Sequence, residues 1–250
     1  MDWRKVACLM FCLAGACHKI PSGSPPPLSV SYLPEPLVGD KGFVKVDTAG
    51  SGLIVDFRDS PPSTLNTMAD QLRDITSQAH LRGKSPVALV VPPIDTVTYP
   101  TEILSRVVDV MIVRAYGDHR PGTLAGAPTN SEFIARAIGA RSVILGPARV
   151  IAALPLFGYR WEANGSSRLI TYAEAAANLN AESGSFRRDP ATKFLVATGR
   201  NGWTAWVPDG RTIEYQIGLV KQRGIAGIAL AGKTGAAPDV ASHVAAALRR

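Results

Sequence analysis

Apolar residues recur along the chain in two arrangements that alternate with each other. Continuous apolar runs, which are typical of buried strands, occupy residues 52–57, 87–91, 107–113, 150–155 and 224–230. Apolar residues at helical spacing predict helices over residues 63–82, 130–138 and 211–223. Buried strands that alternate with helices predict a parallel sheet covered by helices, which places the chain in the α/β class.

This alternation is interrupted between residues 160 and 209. The spacing there predicts a short helix over residues 172–180. Segments with a strand-like pattern follow around residues 193–197 and 203–207. These pieces are too short to continue the main sheet, so we predict a small α+β insertion before its last strand.

The first residues have the pattern of an export signal. Arg4 and Lys5 precede an apolar stretch over residues 6–13 that is too short to span a bilayer. Residues 13–17, Leu-Ala-Gly-Ala-Cys, resemble a bacterial lipobox, in which the cysteine, here Cys17, is lipidated and becomes the new N-terminus. An ordinary cleaved signal and a buried N-terminal helix are the alternatives.

The leader suggests a domain organisation. We predict a signal peptide over residues 1–16, a Pro/Ser/Gly-rich tether over residues 17–27 and one domain over residues 28–250. The expected location is the bacterial cell envelope, on its periplasmic or outer-membrane face. Attachment would be through the lipid at Cys17, with secretion as the alternative.

Composition argues against several functions. The 250 residues carry a net charge of +7 without a run of five lysines or arginines, so nucleic acid is not an expected partner. All three cysteines lie within the first 17 residues, so the body has neither a disulfide framework nor a thiolate metal site. The four histidines show no metal-ligand spacing. We therefore predict no metal and no cofactor.

One motif match is misleading. Residues 227–234, Gly-Ile-Ala-Leu-Ala-Gly-Lys-Thr, fit the phosphate-binding pattern G-x-x-x-x-G-K-[ST]. In that motif the middle residues form a loop whose N–H groups hold phosphate, whereas here Ile228, Ala229 and Leu230 have the pattern of a strand. We therefore predict no nucleotide binding between Gly227 and Thr234.

Four sequence segments stand out at the predicted strands. They are GLIVDFRDSPP at 52–62, MIVRAYGDH at 111–119, LPLFGYRW at 154–161 and GIAGIAL at 224–230. In this order they resemble the fourth, sixth, seventh and eighth strands of the family 18 glycoside hydrolase barrel. The branch they most resemble contains bacterial chitinases and spore-germination cell-wall hydrolases. The resemblance implies a TIM-barrel-like fold and, as ligand, an N-acetylglucosamine-containing polymer such as peptidoglycan or chitin.

The same resemblance implies a chemistry that the chain only partly retains. In the family, a Glu at the end of the fourth strand protonates the leaving oxygen, and the acetamide of the substrate attacks the anomeric carbon. Asp56 matches the Asp that orients this acetamide, but Arg58 stands in place of the Glu. Arginine stays protonated and cannot act as a general acid. Gly117 and Ala231 replace the family's sixth-strand Asp and eighth-strand Trp. We therefore expect catalysis to be weak or lost.

Alternatives to a catalytically weak glycan-binding protein remain. Asp59 or Asp118, each displaced by one residue from the expected position, could join Asp56 as catalytic residues of an active glycosidase. However, a shift of one residue usually turns a strand side chain to the other face. Arg58 could form an ion pair with Asp56 or contact glycan. A third alternative is a non-catalytic scaffold or assembly lipoprotein.

Aromatic side chains are the other candidates for substrate binding. Together with Arg58, the predicted substrate-binding residues are Tyr116, Tyr159, Trp161 and Trp206. Exposed aromatic rings can stack on the apolar faces of sugars. Ordinary packing within the core or the insertion is the alternative role for these four rings.

The motif positions also limit the size of the barrel. Only residues 17–51 lie between Cys17 and the segment that resembles the fourth strand. Three strand–helix units of roughly 30 residues each do not fit there, and at most two short strands do, near residues 28–33 and 43–46. We predict an incomplete barrel of about five parallel strands with one or two substitutes. Its open edges favour a homodimer or a partner chain.

Overall fold

The computed structural model describes residues 29–33, 52–57 and 65–249. The predicted leader and tether, with Cys17, lie outside the described residues, as do Arg58, Asp59 and the predicted strand at 43–46. Eleven strands and six helices are described. The strands are β1 Ser29–Leu33, β2 Leu53–Asp56, β3 Val87–Val91, β4 Val110–Arg114, β5 Val150–Pro155, β6 Phe157–Trp161, β7 Ser167–Thr171, β8 Arg187–Arg188, β9 Leu195–Thr198, β10 Thr204–Val207 and β11 Gly227–Ala231. The helices are α1 Leu65–Leu81, α2 Thr101–Leu104, α3 Ser131–Leu145, α4 Tyr172–Ala181, α5 Gly210–Lys221 and α6 Val240–Arg249.

Six of these strands form one parallel sheet in the order β1-β11-β5-β4-β3-β2. Strand β1, the first along the chain, pairs with β11, the last, and Ser29 lies opposite Gly227. Strands β1 and β2 end the sheet on its two sides within the described residues. The predicted α/β class and incomplete parallel barrel are confirmed, with a strand at 29–33 where a short one was expected.

One face of the sheet packs against the long helices. Alternate strand residues such as Val55, Leu89 and Leu154 are fully buried there against α1, α3, α5 and α6. Helix α3 begins at Asn130, whose side chain accepts a hydrogen bond from the N–H of Phe133, as an N-cap does. This face and the opposite one are both buried, which accounts for the continuous apolar strands in the sequence.

The other face, which we call the inner face, carries alanines among its larger apolar residues. Ala88, Ala153, Ala229 and Ala231 are all buried on it. Aromatic side chains of β6 cover these alanines, so the inner face forms a second, smaller core. Small side chains on the strands leave the space that the larger rings fill.

The insertion is an antiparallel sheet in the order β7-β6-β10-β9-β8, with α4 packed against it. Its helix and its strands β9 and β10 confirm the predicted insertion, whereas β6 and β7 were not predicted as strands. Strand β6 follows β5 after one residue, Leu156, whose N–H donates to the carbonyl of Ala231 at 2.7 Å. The segment 150–161 therefore contributes to both sheets.

Several predicted boundaries differ from the structure. Helix α3 was predicted to end at residue 138 but continues to Leu145, because Gly139 is tolerated within it and the helix ends at Gly146, which has φ of 82°. Strand β4 begins three residues later than predicted, since Val107 and Val108 belong to the preceding turn. Residues Gly227–Ala231 of the apparent phosphate motif form buried strand β11, as the apolar pattern predicted.

Within the described residues, no helix is both long and apolar enough to cross a membrane.

Candidate functional site

The candidate site lies at the carboxyl edge of the parallel sheet, where ligands bind in α/β barrels. Asp56 ends β2, is buried, and shares the inner face with Ile54, two residues earlier. Strand register places Asp56 in one row with Val90 and Ile112 of the next two strands. Among the described strands of the parallel sheet, no other carboxylate lies on the inner face.

Arg114, at the end of β4, lies one row further toward the carboxyl edge. It pairs with Ala153 and is two residues beyond Ile112, so it belongs to the same inner face. It is half-buried, and no side-chain hydrogen bond or ion pair joins it to the residues that the structure describes. Tyr116 follows two residues later and packs against the inner core.

Asp118 belongs to the loop after β4 rather than to the inner face. The chain turns at Gly117, which has φ of 104°, and the N–H groups of Gly117 and Asp118 both donate to the carbonyl of Pro128. The Asp118 carboxylate accepts a 2.5 Å hydrogen bond from the amide of Asn130 and lies 4.0 Å from the guanidinium of Arg136. Asp118 thus supports the start of α3.

Five aromatic rings form a continuous row from the parallel sheet into the insertion. In order they are Tyr116, Phe157, Tyr159, Trp161 and Trp206. The centroids of successive rings lie 5.4, 5.8, 6.1 and 5.7 Å apart, and every pair meets edge to face. The middle three rings occupy alternate positions of β6, so they project from the same face of this strand.

This row is mostly buried. Phe157, Tyr159 and Trp161 are 2%, 8% and 6% exposed. The indole N–H of Trp161 donates to the carbonyl of Thr123 at 2.9 Å. Packing is therefore what the structure shows for these three rings, and the half-buried Tyr116 and Trp206 retain more accessible surface.

Phe157 also packs at the end of the last strand of the sheet. A Cβ atom on Gly232 would lie 2.7 Å from its ring, and Ala231 is buried within the same inner core. The small side chains at 231 and 232 thus leave room for a ring supplied by β6.

The electrostatic surroundings of Tyr159 link the row to two arginines. Burial raises the pKa of Tyr159 to about 12, and the neighbouring Tyr116 acts in the same direction. The positive charges of Arg114 and Arg120 oppose this increase. One guanidinium nitrogen of Arg120 lies 3.5 Å from the carbonyl oxygen of Gly117, which places this charge beside Tyr116. Tyr159 therefore remains a protonated hydroxyl at neutral pH.

The loop after β4 packs against the insertion and borders an open groove of about 610 Å³. Gly122 N–H donates to the hydroxyl of Ser167 on β7, and the ring of His119 packs against Gly126. The groove is lined by Thr123, Leu124, Trp161, Glu162, Gly165 and Thr204, among others. It lies next to the aromatic row through the shared Trp161.

Arg141 of α3 holds the neighbouring loop, which follows β3. It is fully buried, and its guanidinium donates to the carbonyls of Pro92, Asp95 and Tyr99 and to the hydroxyl of Thr101. Burial lowers the pKa of Arg141 to about 10, and the charge of Asp95 opposes this decrease. The group is therefore still charged at neutral pH.

The structure brings together four of the predicted substrate-binding residues, and it places one predicted catalytic residue, Asp118, off the inner face that carries Asp56. Tyr116, Tyr159, Trp161 and Trp206 belong to one row, whereas Asp118 is engaged at the start of α3. No group of three His, Cys, Asp or Glu side chains able to hold a metal ion occurs in the described part of the chain.

The sequence prediction missed three residues of this edge: Phe157, Arg114 and Arg120. The alternation of Phe157 with Tyr159 and Trp161 was a usable signal, because residues two apart on a strand share a face. Arg114 ends an apolar strand, where a lone charge resembles an ordinary surface residue.

Comparison with known proteins places this architecture in a structural class. No protein-family model and no curated protein sequence matches the chain. Among solved structures, a chitinase from Chromobacterium violaceum matches with 18% identity and a TM-score of 0.69, over 80% of this chain and 67% of that chain. The spore cortex-lytic enzyme SleL of Bacillus cereus matches with 17% identity and a TM-score of 0.65, over 77% of this chain and 47% of that chain.

A third neighbour comes from a plant. The class V chitinase of Nicotiana tobaccum matches with 17% identity and a TM-score of 0.64, over 79% of this chain and 68% of that chain. The match thus spans between about half and two thirds of the length of these proteins. The protein has a chitinase-like barrel fold, in shortened form.

Proposed function

We propose that the protein is a glycoside hydrolase-like protein that binds a glycan polymer containing N-acetylglucosamine, such as peptidoglycan or chitin. The observation that carries this proposal is the structural match, over 80% and 77% of this chain, to a chitinase and to a spore cortex-lytic enzyme. The half-buried rings of Tyr116 and Trp206, at the two ends of the aromatic row, are the surfaces best suited to contact sugar.

We propose further that catalysis is weak or lost. Arg58 stands at the sequence position that corresponds to the family's catalytic Glu, and a guanidinium does not release a proton near neutral pH. Asp118, one candidate replacement, is hydrogen-bonded to Asn130. An active glycosidase that uses Asp59 or Asp118 is the alternative.

Binding is tested by co-sedimentation with insoluble chitin and with purified peptidoglycan. We expect retention of the wild-type protein, and at least a several-fold weaker retention of Trp206→Ala. Tyr215→Ala is the matched control, because Tyr215 is also a half-buried ring but lies on α5, away from the aromatic row. Absence of retention on both polymers would refute the proposal.

Catalysis is tested with a chromogenic chito-oligosaccharide. We expect no turnover above the background set by heat-inactivated protein. Turnover that is abolished by one of the two substitutions Asp59→Asn and Asp118→Asn, and left unchanged by the other, would instead establish the active alternative and identify its carboxylate. Both substitutions remove a carboxylate charge without a large change in volume, so each serves as the control for the other.

The location is a separate proposal. We propose attachment to the bacterial cell envelope through a lipid on Cys17, which rests on the lipobox-like residues 13–17. Expression in a bacterial host and fractionation should place the wild-type protein with membranes and Cys17→Ser in the soluble fraction. Mass spectrometry of the mature N-terminus should show a lipidated cysteine.

We propose further that the protein forms a homodimer or binds a partner chain. Among the described strands, β1 and β2 have no neighbour on their outer sides, and such edges favour pairing with another chain. Light scattering of the purified protein tests this proposal.

A further inference from the structure

Positive charge without a matching acidic partner is concentrated at the edge of the sheet that carries the candidate site. Arg114 projects from the inner face at the end of β4, in the row next to that of Asp56. Arg120 lies on the loop that follows, with a guanidinium nitrogen 3.5 Å from the carbonyl oxygen of Gly117. Neither arginine forms an ion pair with the residues that the structure describes.

Asp56 is the one carboxylate on the inner face among the described strands of the parallel sheet, so it cannot balance both arginines. The other nearby carboxylates are engaged elsewhere. Asp118 is bound to Asn130 and lies close to Arg136. Glu162, on the far side of the aromatic row, forms an ion pair with Arg160 at 2.7 Å. Nearby arginines without a described acidic partner create a positive potential that attracts an anion.

The groups around the two arginines are donors suited to a carboxylate. Both positive charges act on the hydroxyl of Tyr159, which remains protonated at neutral pH and can donate a hydrogen bond. Guanidinium groups bind carboxylates through paired hydrogen bonds, which are stronger than those between neutral groups. A neutral polymer of N-acetylglucosamine offers oxygen acceptors but no negative charge to pair with these guanidinium groups.

We propose that the candidate site prefers glycans that carry a carboxylate, such as an amino sugar with an acidic ether substituent, over neutral chitin-type polymers, and that Arg114 and Arg120 contact this carboxylate. The inference rests on the proposed glycan-binding function and specifies its ligand class. It assigns to Arg114 and Arg120 a role in specificity that is separate from any catalytic step.

The test compares ligands that differ in their carboxylate charge. Binding is measured by calorimetry for a peptidoglycan-derived tetrasaccharide with free carboxylates, for the same tetrasaccharide with its carboxylates amidated, and for chitotetraose. We expect the wild-type protein to bind the acidic form about tenfold more tightly than the amidated form. The preference should decrease as the salt concentration is raised, because mobile ions screen exposed charges.

Variants identify the residues responsible. Arg114→Met and Arg120→Met should each weaken binding of the acidic form about fivefold or more and leave the amidated form unchanged. Arg114→Lys should retain part of the preference. Arg106→Met is the matched control, because Arg106 is an exposed arginine that precedes β4, at the opposite edge of the sheet.

The outcomes separate this inference from the function on which it rests. Equal affinity for the acidic and amidated forms would overturn the inference while leaving glycan binding intact. Absence of binding to all three ligands would overturn both. Arg120 is exposed, so Arg120→Met tests the inference even if substitution of the half-buried Arg114 impairs folding.

Discussion

Substitution of Arg141 tests whether the loop after β3 depends on one buried cation. The guanidinium donates to three carbonyl oxygens and one hydroxyl, and Arg141 is 0% exposed. Arg141→Met keeps much of the apolar stem but removes all four hydrogen bonds. A hydrogen bond from a charged donor contributes about 1.5–3 kcal/mol, but the substitution also removes the cost of burying the charge. We therefore expect a net loss of about 2–4 kcal/mol in the free energy of unfolding.

Urea denaturation followed by circular dichroism measures this loss. Arg141→Lys should lie between the wild type and Arg141→Met, because one ammonium group cannot reach acceptors arranged around a planar guanidinium. Arg223→Met, at an exposed arginine, should change the stability by less than about 0.5 kcal/mol. Hydrogen exchange should increase over residues 92–100 in Arg141→Met. A loss below about 1 kcal/mol with unchanged exchange would show that the loop holds its conformation without this residue.

Three further predictions concern the insertion and the aromatic row. Gly158→Ala should lower the free energy of unfolding by at least about 2 kcal/mol in urea denaturation, because its Cβ would lie 1.7 Å from the carbonyl oxygen of Trp206. The control Gly139→Ala should raise it by about 0.5–1 kcal/mol, because nothing lies within 4 Å of its Cβ. Equal effects of the two substitutions would contradict the close approach of Gly158 to Trp206. Burial alone would raise the pKa of Asp209, but hydrogen bonds from an arginine and a threonine hold it below 3.8. The wild-type protein should therefore be more stable to unfolding than Asp209→Asn at neutral pH, and this difference should disappear as the pH falls below that value. A difference that does not depend on pH would exclude this linkage. The pKa of the Tyr159 phenol is raised from 10.0 to about 12, so the folded state should become less stable as the pH rises above 10. Tyr159→Phe should lessen this alkaline loss of stability in thermal denaturation. An identical loss in both proteins would show that Tyr159 is not its source.

Much of the parallel sheet could be predicted from local pattern. Strands β3 and β5 have the predicted bounds because a strand buried on both faces appears as an uninterrupted apolar run. Strand β6 was missed because its mixed polar and aromatic composition favours no single element, and its pairing with β10 spans a long separation along the chain.

The sequence predicted several residues of the candidate site but not the contacts that arrange them. The sequence identified Asp56 and the aromatic residues, but their burial depends on β6 lying across the inner face, which is a non-local contact. The displacement of Asp118 from the inner face agrees with the alternation of strand side chains. Its actual partner, Asn130, lies 12 residues further along the chain and could not be inferred from spacing.

The parallel pairing of β1 with β11 determines how the domain would stand on a membrane. Ser29, the first residue of β1, lies opposite Gly227, the first residue of β11, at the amino edge of the sheet. The candidate site occupies the carboxyl edge, so the preceding chain joins the domain on the side remote from the site. If Cys17 is lipidated, as we propose, an extended spacer of 11 residues could reach about 34 Å. The anchored domain would then direct its candidate site away from the bilayer.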